Sequence, residues 1–352
     1  MTTALEPITV SKDNHGFIEK STGNPFVPWG FNYDHDRDGR LIEDYWDAEW
    51  ETVSEDFREM QSLGANVVRV HLQLGRFMES AEQPRQSQLD RLAALLQLAE
   101  QTELYLDLTG LGCYHKADVP DWYDALSEAD RWAVQGRFWE AIAKQCAHSP
   151  AVFCYDLMNE PVVPAGQKPA DWLGPAFGDK HFVQRIGREL GHRDRPTVAR
   201  DWIRQLTTAI RQHDQQHLIT VGLVPWSLKR PGLQSGFEPE VIGPEVDFVA
   251  VHIYPDAGKL DEALTTLKGF DVGKPVVIEE TFTLKCGRDE FRQFLNQSRS
   301  VADGWIGFYW GALPVEYEGE NNLGATLTQQ WLQLFQEHGP AMKNVPPVRN
   351  PN

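Results

Sequence analysis

An alternation of local patterns restricts this chain more than any other feature of it. Short runs rich in β-branched and aromatic residues recur near residues 26–33, 66–71, 104–109, 152–158, 217–222, 246–253, 275–280 and 305–310. Between or after them lie stretches with the 3.6-residue apolar period of an amphipathic helix, at 50–63, 86–102, 128–147, 198–215, 288–302 and 327–338. Strands alternating with helices favour a parallel sheet, and eight such units match an α/β fold of the (β/α)8 TIM barrel type better than an open sheet. A doubly wound sheet usually carries a glycine-rich phosphate loop, and the sequence contains neither GxGxxG nor GxxxxGK[ST]. No composition shift marks a boundary, so residues 1–352 read as one domain, with the barrel over about 24–338. Residues 162–197 are too many for an ordinary connection and predict an insertion after the fourth strand that walls the barrel mouth. Residues 339–352, rich in proline and asparagine, predict a surface tail.

In such a barrel, chemistry belongs at the C-terminal tips of the strands, where loops vary while the strands hold side chains rigidly. The fourth strand signal ends in Asn159-Glu160-Pro161, where the proline stops the ladder and leaves Glu160 at the tip. The seventh ends in Ile278-Glu279-Glu280-Thr281. Hydrolysis of a glycosidic bond needs two carboxyl groups, one protonated and one ionised. Strand alternation sends Glu279 and Glu280 to opposite faces, so one of the two is expected to point into the site.

The net charge of −18 opposes a nucleic-acid or anionic-membrane partner and suits a neutral substrate such as a sugar. Four cysteines, Cys113, Cys146, Cys154 and Cys286, form no CxxC pair. The N-terminal residues lack a basic region followed by an apolar one, and no run reaches transmembrane length, so a reduced, cytoplasmic protein without membrane insertion is expected; a secreted protein whose signal peptide has been removed would read the same way.

Over roughly residues 24–338 the chain resembles glycoside hydrolase family 5, within the clan A glycosidases of cellulase and mannanase type. Arg69 in Asn66-Val67-Val68-Arg69 corresponds to that family's second-strand arginine, and Asn159-Glu160-Pro161 looks like its acid/base motif. His252-Ile253-Tyr254-Pro255 is similar to its sixth-strand His-x-Tyr, Glu280 to its nucleophile, and Trp310 to its eighth-strand tryptophan. The resemblance implies a retaining β-glycoside hydrolase of the β-mannan or β-glucan type, with Glu160 as general acid/base and Glu280 as nucleophile. Arg69 and the Tyr254 hydroxyl would stabilise ionised Glu280, Asn159 would bind the sugar 2-hydroxyl, and His252 would orient a carboxylate or a hydroxyl. Trp310 would offer a flat face to the sugar. The chain departs from the cellulase-like pattern by carrying Thr109 where histidine is common, and the phrasing around Val246-Asp247-Phe248 and Lys274-Pro275 leans towards mannan.

Trp122 and Trp226 fall on top-face loops and could stack on sugars, with Trp29 and Trp46 as weaker candidates. The loop Asp34-His35-Asp36-Arg37-Asp38-Gly39 opens like a calcium loop, yet Tyr45 stands where the bidentate glutamate is required, so an acidic loop, or one feeding Asp34 or His35 to the sugar site, is the expectation. No cofactor and no catalytic metal are expected. Two other readings stay open: a transglycosylase on the same covalent intermediate, and a catalytically inactive carbohydrate-binding barrel.

Overall fold

The computed structural model describes residues 5–344 except Gln167 and Tyr309. Among these residues eight parallel strands close a barrel in chain order: β1 (Trp29–Tyr33), β2 (Val67–Gln73), β3 (Tyr105–Gly112), β4 (Val152–Asn159), β5 (Leu218–Leu223), β6 (Val249–His252), β7 (Val276–Thr281) and β8 (Gly304–Gly307). Each is followed by a helix: α1 (Trp50–Ser62), α2 (Gln86–Gln101), α3 (Glu128–Cys146), α4 (Arg195–Arg211), α5 (Pro239–Ile242), α6 (Leu260–Lys268), α7 (Arg288–Ser298) and α8 (Leu323–Asn344). The expected fold is the observed one, with helices α5 and α6 as elements that the periodicity left unassigned. Among the described residues no helix is long and apolar enough to cross a membrane.

Every residue of β2, β3 and β4 is buried, because one face packs on the helices and the other fills the barrel. Period-two alternation sends Asn32, Arg69, Asp107 and Asp156 to the axis; register sets Asn32, Arg69 and Asp107 level, and places Asp156 two residues nearer the mouth, opposite Thr109.

The first strand begins later than its sequence signal. Pro25–Phe26 instead completes a three-stranded antiparallel sheet with Ile8–Val10 and Phe17–Glu19. That sheet plugs the N-terminal end of the barrel, with the Phe17 ring edge-on to Phe153 at 5.2 Å and to Phe248 at 5.3 Å. At the other end of the chain the expected surface tail is corrected: residues 339–344 continue α8 through Pro340. The reason is burial, since Met342 is fully covered and Gly339 lies against the Trp29 indole, where a Cβ would sit 3.0 Å from Nε1. The rest of that expected tail, 345–352, lies outside the described residues.

The insertion after β4 folds back on the barrel. Pro161–Val162 pairs in parallel with Gln184–Arg185, and Trp172 lies between the Arg131 and Arg188 guanidinium groups, at 4.3 and 5.2 Å. Its far side is tied to the end of β3 by the His181 N–H on the Tyr114 carbonyl (2.8 Å) and by Gln184 Nε2 on the Leu111 carbonyl (3.0 Å). Asp194 then caps α4 by accepting the Thr197 N–H at 2.7 Å.

Candidate active site

The C-terminal ends of β1, β2, β4, β6 and β7 converge on one hydrogen-bonded cluster. At its centre is Arg69, fully buried, whose Nη1 donates to Glu280 Oε1 at 2.7 Å and to Asn32 Oδ1 at 2.9 Å. Its Nη2 donates to Asp156 Oδ2 at 2.7 Å and to Asn159 Oδ1 at 3.0 Å. This one guanidinium ties β2 to side chains from three other strands through bonds of the short, charge-assisted kind.

Glu280 receives a second donor, the Tyr254 hydroxyl, at 2.8 Å on Oε2. Burial pushes the Glu280 carboxyl above its ordinary range, against the pull of His252 and Arg69 in the opposite direction. Glu160 stands across from it. Its backbone adopts a positive φ of 47°, which a side-chain-bearing residue takes only at a cost of roughly 1–2 kcal/mol. Two bonds hold it there: its N–H donates to the Gly222 carbonyl of β5 at 3.0 Å, and its carbonyl accepts the Gln184 N–H of the insertion at 3.3 Å. The turn leaves the Glu160 side chain 16% exposed at the mouth while Glu280 keeps 8%.

His252 lies between the two carboxylates, with Nδ1 at 3.0 Å from Glu160 Oε1 and 3.4 Å from Glu280 Oε2. One ligand oxygen of each glutamate and a ring nitrogen all fall within 4.8 Å of one another. Burial and Arg69 oppose a charge on this ring, but Glu280, Glu160 and Glu279 outweigh them and raise its pKa to about 10.

The expectation that only one of the adjacent glutamates points inward is corrected. Glu279 is fully buried on the same side, with Oε2 at 3.5 Å from Arg69 Nη2 and 3.5 Å from His252 Nε2. Strict alternation fails because the register of β7 slips, against β6 at His252 and against β8 between Ile278 and Thr281. Both side chains therefore enter the barrel, Glu280 at the mouth and Glu279 behind His252.

Asn159 is at the site, its Oδ1 accepting from Arg69 and its Nδ2 donating one N–H to the Phe182 carbonyl of the insertion at 3.1 Å. Thr109 is likewise bound inward, donating to Asp156 Oδ2 at 2.8 Å. Trp310 lies beyond the end of β8 at Gly307, its N–H bonded to the Asn32 carbonyl at 3.1 Å and its indole edge-on to Tyr33 at 5.7 Å. With 3% of its surface exposed it presents no open face. Trp122 and Trp226 stand half-buried on the loops after β3 and β5 and take no part in the hydrogen-bonded cluster among the described residues. Trp29 and Trp46 are core residues, the first stacked on Phe335 at 4.5 Å and the second donating Nε1 to Gln88 Oε1 at 3.1 Å.

A profile described as Cellulase (glycosyl hydrolase family 5) matches residues 20–313. The chain belongs to glycosyl hydrolase family 5. Within curated sequences it is 26% identical over 190 residues to mannan endo-1,4-beta-mannosidase A of Emericella nidulans, covering 49% of this chain and 41% of that protein. The chain spans less than half the length of the curated relatives it matches. Among solved structures, an exo-beta-1,4-mannosidase from Opitutaceae bacterium strain TAV5 superposes with a TM-score of 0.71 at 17% identity, covering 95% of this chain and 62% of that one. A subfamily 18 member from Streptomyces cattleya, a variant solved with Manb1-4GlcNAc, gives 0.65 at 16% identity, covering 92% and 83%. These two likenesses are likenesses of fold.

The acidic loop at 34–39 does not gather oxygens around a cation site. Asp34 turns inward to His35 Nδ1 at 2.9 Å, while Asp36 accepts the backbone N–H groups of Asp38 and Arg40 at 2.9 Å each and Arg40 Nε at 2.7 Å. Two groups of acidic side chains lie closer together, Glu160–His252–Glu280 and Asp107–Asp156–Glu279. In both, the positive charge is already supplied from within the protein, by His252 and Arg69.

Sequence reasoning missed Asn32, Asp107 and Asp156. Each was visible as a polar residue inside an otherwise apolar strand run, Phe31-Asn32-Tyr33, Leu106-Asp107-Leu108 and Tyr155-Asp156-Leu157. In a closed barrel a mid-strand polar residue has only the axis or the helix layer to face.

Proposed function

We propose that this chain is a retaining β-glycoside hydrolase of the mannan type. The observation that carries it is the separation of Glu160 and Glu280, whose nearest oxygens lie within 4.8 Å of each other. Retaining glycosidases hold their two carboxyl groups about 5–5.5 Å apart, whereas inverting ones need about 6.5–9.5 Å to seat a water between carboxylate and sugar. Glu280, fixed by Arg69 and Tyr254, attacks the anomeric carbon while Glu160 gives its proton to the departing glycosidic oxygen. Glu160 then takes a proton from water, whose oxygen attacks the same carbon and releases Glu280 with the original anomeric configuration. The mannan type is supported by the curated relative named for mannan hydrolysis and by two fold neighbours, one named as a mannosidase and one holding a β-mannosyl disaccharide. A β-linked manno-oligosaccharide or polysaccharide is therefore the substrate class.

The test is a panel of aryl β-glycosides and β-linked oligosaccharides, assayed with the wild type and with Glu280→Ala in the presence of azide. Turnover best on β-mannosides is expected, lost in the variant and replaced there by an α-glycosyl azide. A wild type that binds sugar without cleaving any panel member overturns the reading. Products longer than the substrate at high concentration would make the chain a transglycosylase.

A further inference from the structure

Glu279 has no part in the two chemical steps above, yet its position is costly. Its carboxylate is fully buried, and neither oxygen meets a described hydrogen-bond donor in good geometry. Asp107 and Asp156 each bring a further carboxyl oxygen within 4.8 Å. Three carboxylates in a low-dielectric interior cannot all be ionised against one guanidinium. Asp107 eases the conflict: burial, and then the charge of Glu279, push its carboxyl well above the usual range. Burial acts on Glu279 too, but there Arg69 and His252 prevail and hold it below its ordinary value.

The consequence falls on His252. Its Nε2 lies 3.5 Å from Glu279 Oε2, while Nδ1 lies 3.0 Å from Glu160 Oε1 and 3.4 Å from Glu280 Oε2. A neutral imidazole has one donor nitrogen and one acceptor, so it would turn a lone pair towards a carboxylate on one side. An imidazolium donates on both.

We infer that Glu279 is a positioning residue of the reaction that holds His252 as an imidazolium with Nδ1–H aimed between Glu160 and Glu280. The inference rests on the assignment of those two glutamates to the chemistry. One cation then serves both steps. Before attack it faces ionised Glu280; once Glu280 is bound to the sugar and Glu160 has given up its proton, it faces ionised Glu160. Neither change requires His252 to move, because Nδ1 is already within reach of both.

The groups facing His252 are Glu160 from β4, Glu279 and Glu280 from β7, Arg69 and His71 from β2, and Tyr254 beyond its own strand. Those facing Glu279 are Arg69, Asp107, Asp156, Cys154 and His252. The charge on His252 is present below its raised pKa and lost above it. Removing Glu279 removes one of the carboxylates that raise it, so the imidazolium is lost at lower pH.

The experiment is the pH profile of kcat and KM on an aryl β-mannoside for the wild type, Glu279→Gln and Asp107→Asn. Glu279→Gln is expected to move the alkaline limb of kcat to lower pH, with a loss of about tenfold or more above the new pKa, and to leave KM nearly unchanged. Asp107→Asn, which sets a neutral group of the same shape beside Glu279, keeps the wild-type limb. An unchanged profile in Glu279→Gln overturns the inference, and so does an Asp107→Asn limb that moves equally far. Should Glu279→Gln fail to fold, 15N spectra of histidine-labelled wild type decide: both ring nitrogens of His252 are expected to be protonated at pH 8, and a neutral ring overturns the inference. A wild type without glycosidase activity defeats the functional reading, and the ring spectra still report on Glu279.

Discussion

At the N-terminal end of the barrel, Phe17, Phe26, Tyr105, Phe153 and Phe248 pack against one another around Val67 and Val277, and among the described residues of that cluster the ionisable groups are the Tyr105 hydroxyl, which is bonded to Glu6, and the Cys154 thiol, which burial pushes well up. A few residues further along the same strands the axis holds Arg69, Asp107, Asp156, Glu279, Glu280 and His252. Strand β4 carries both environments, from Phe153 through Asp156 to Asn159. The difference teaches where this fold gets its stability and where it spends it. The lower end rests on apolar burial, which is non-directional and tolerant of small shifts. The upper end rests on charges taken out of water, which are favourable only while every partner is in place.

Breaking the upper end at its centre has the largest expected effect. Arg69→Met leaves Asp156, Glu279 and Glu280 without their shared cation, and is expected to lower unfolding free energy by about 3–5 kcal/mol and to abolish turnover. Urea denaturation and product assay of the same preparation check both. At the lower end, Phe17→Ala opens a cavity among four rings and is expected to cost about 3–4 kcal/mol in the same denaturation measurement. Its kcat should stay at the wild-type level, and a large fall in kcat would show that the two ends are mechanically coupled. The finest probe is Tyr254→Phe, which removes the hydroxyl donor on Glu280 Oε2. A lost hydrogen bond to a charged acceptor of about 1.5–3 kcal/mol predicts a roughly 10–100-fold slower kcat, with little change in denaturation midpoint. Stability lost in equal measure would mean that the Tyr254 bond supports the fold rather than the nucleophile.

The lower end was nearly illegible in the sequence. Residues 8–26 carry only two- and three-residue strands, too short for a period to register, and they fold as a sheet because the open barrel end offers Phe17 and Phe26 a surface to cover. The upper end was partly legible. Glu160 and Glu280 announced themselves as acids at the tips of apolar runs, and Arg69, His252 and Tyr254 fall where the family pattern placed them. For Trp310 the contact with Tyr33 was not legible, because an aromatic residue beyond a strand reads the same whatever ring it faces.

By itself the sequence determined the order and number of the strands, their alternation with helices and the two glutamates at the mouth, since each follows from a repeat or a stop signal within a few residues of chain. Only the tertiary structure decided which side chains share a level on the axis, that Glu279 joins Glu280 inside, and that Phe182 of the insertion anchors Asn159. Local pattern sets the face a residue takes. Register between strands tens of residues apart, and the slip that turns two neighbours the same way, are set by packing around the closed barrel, which no short window of sequence contains.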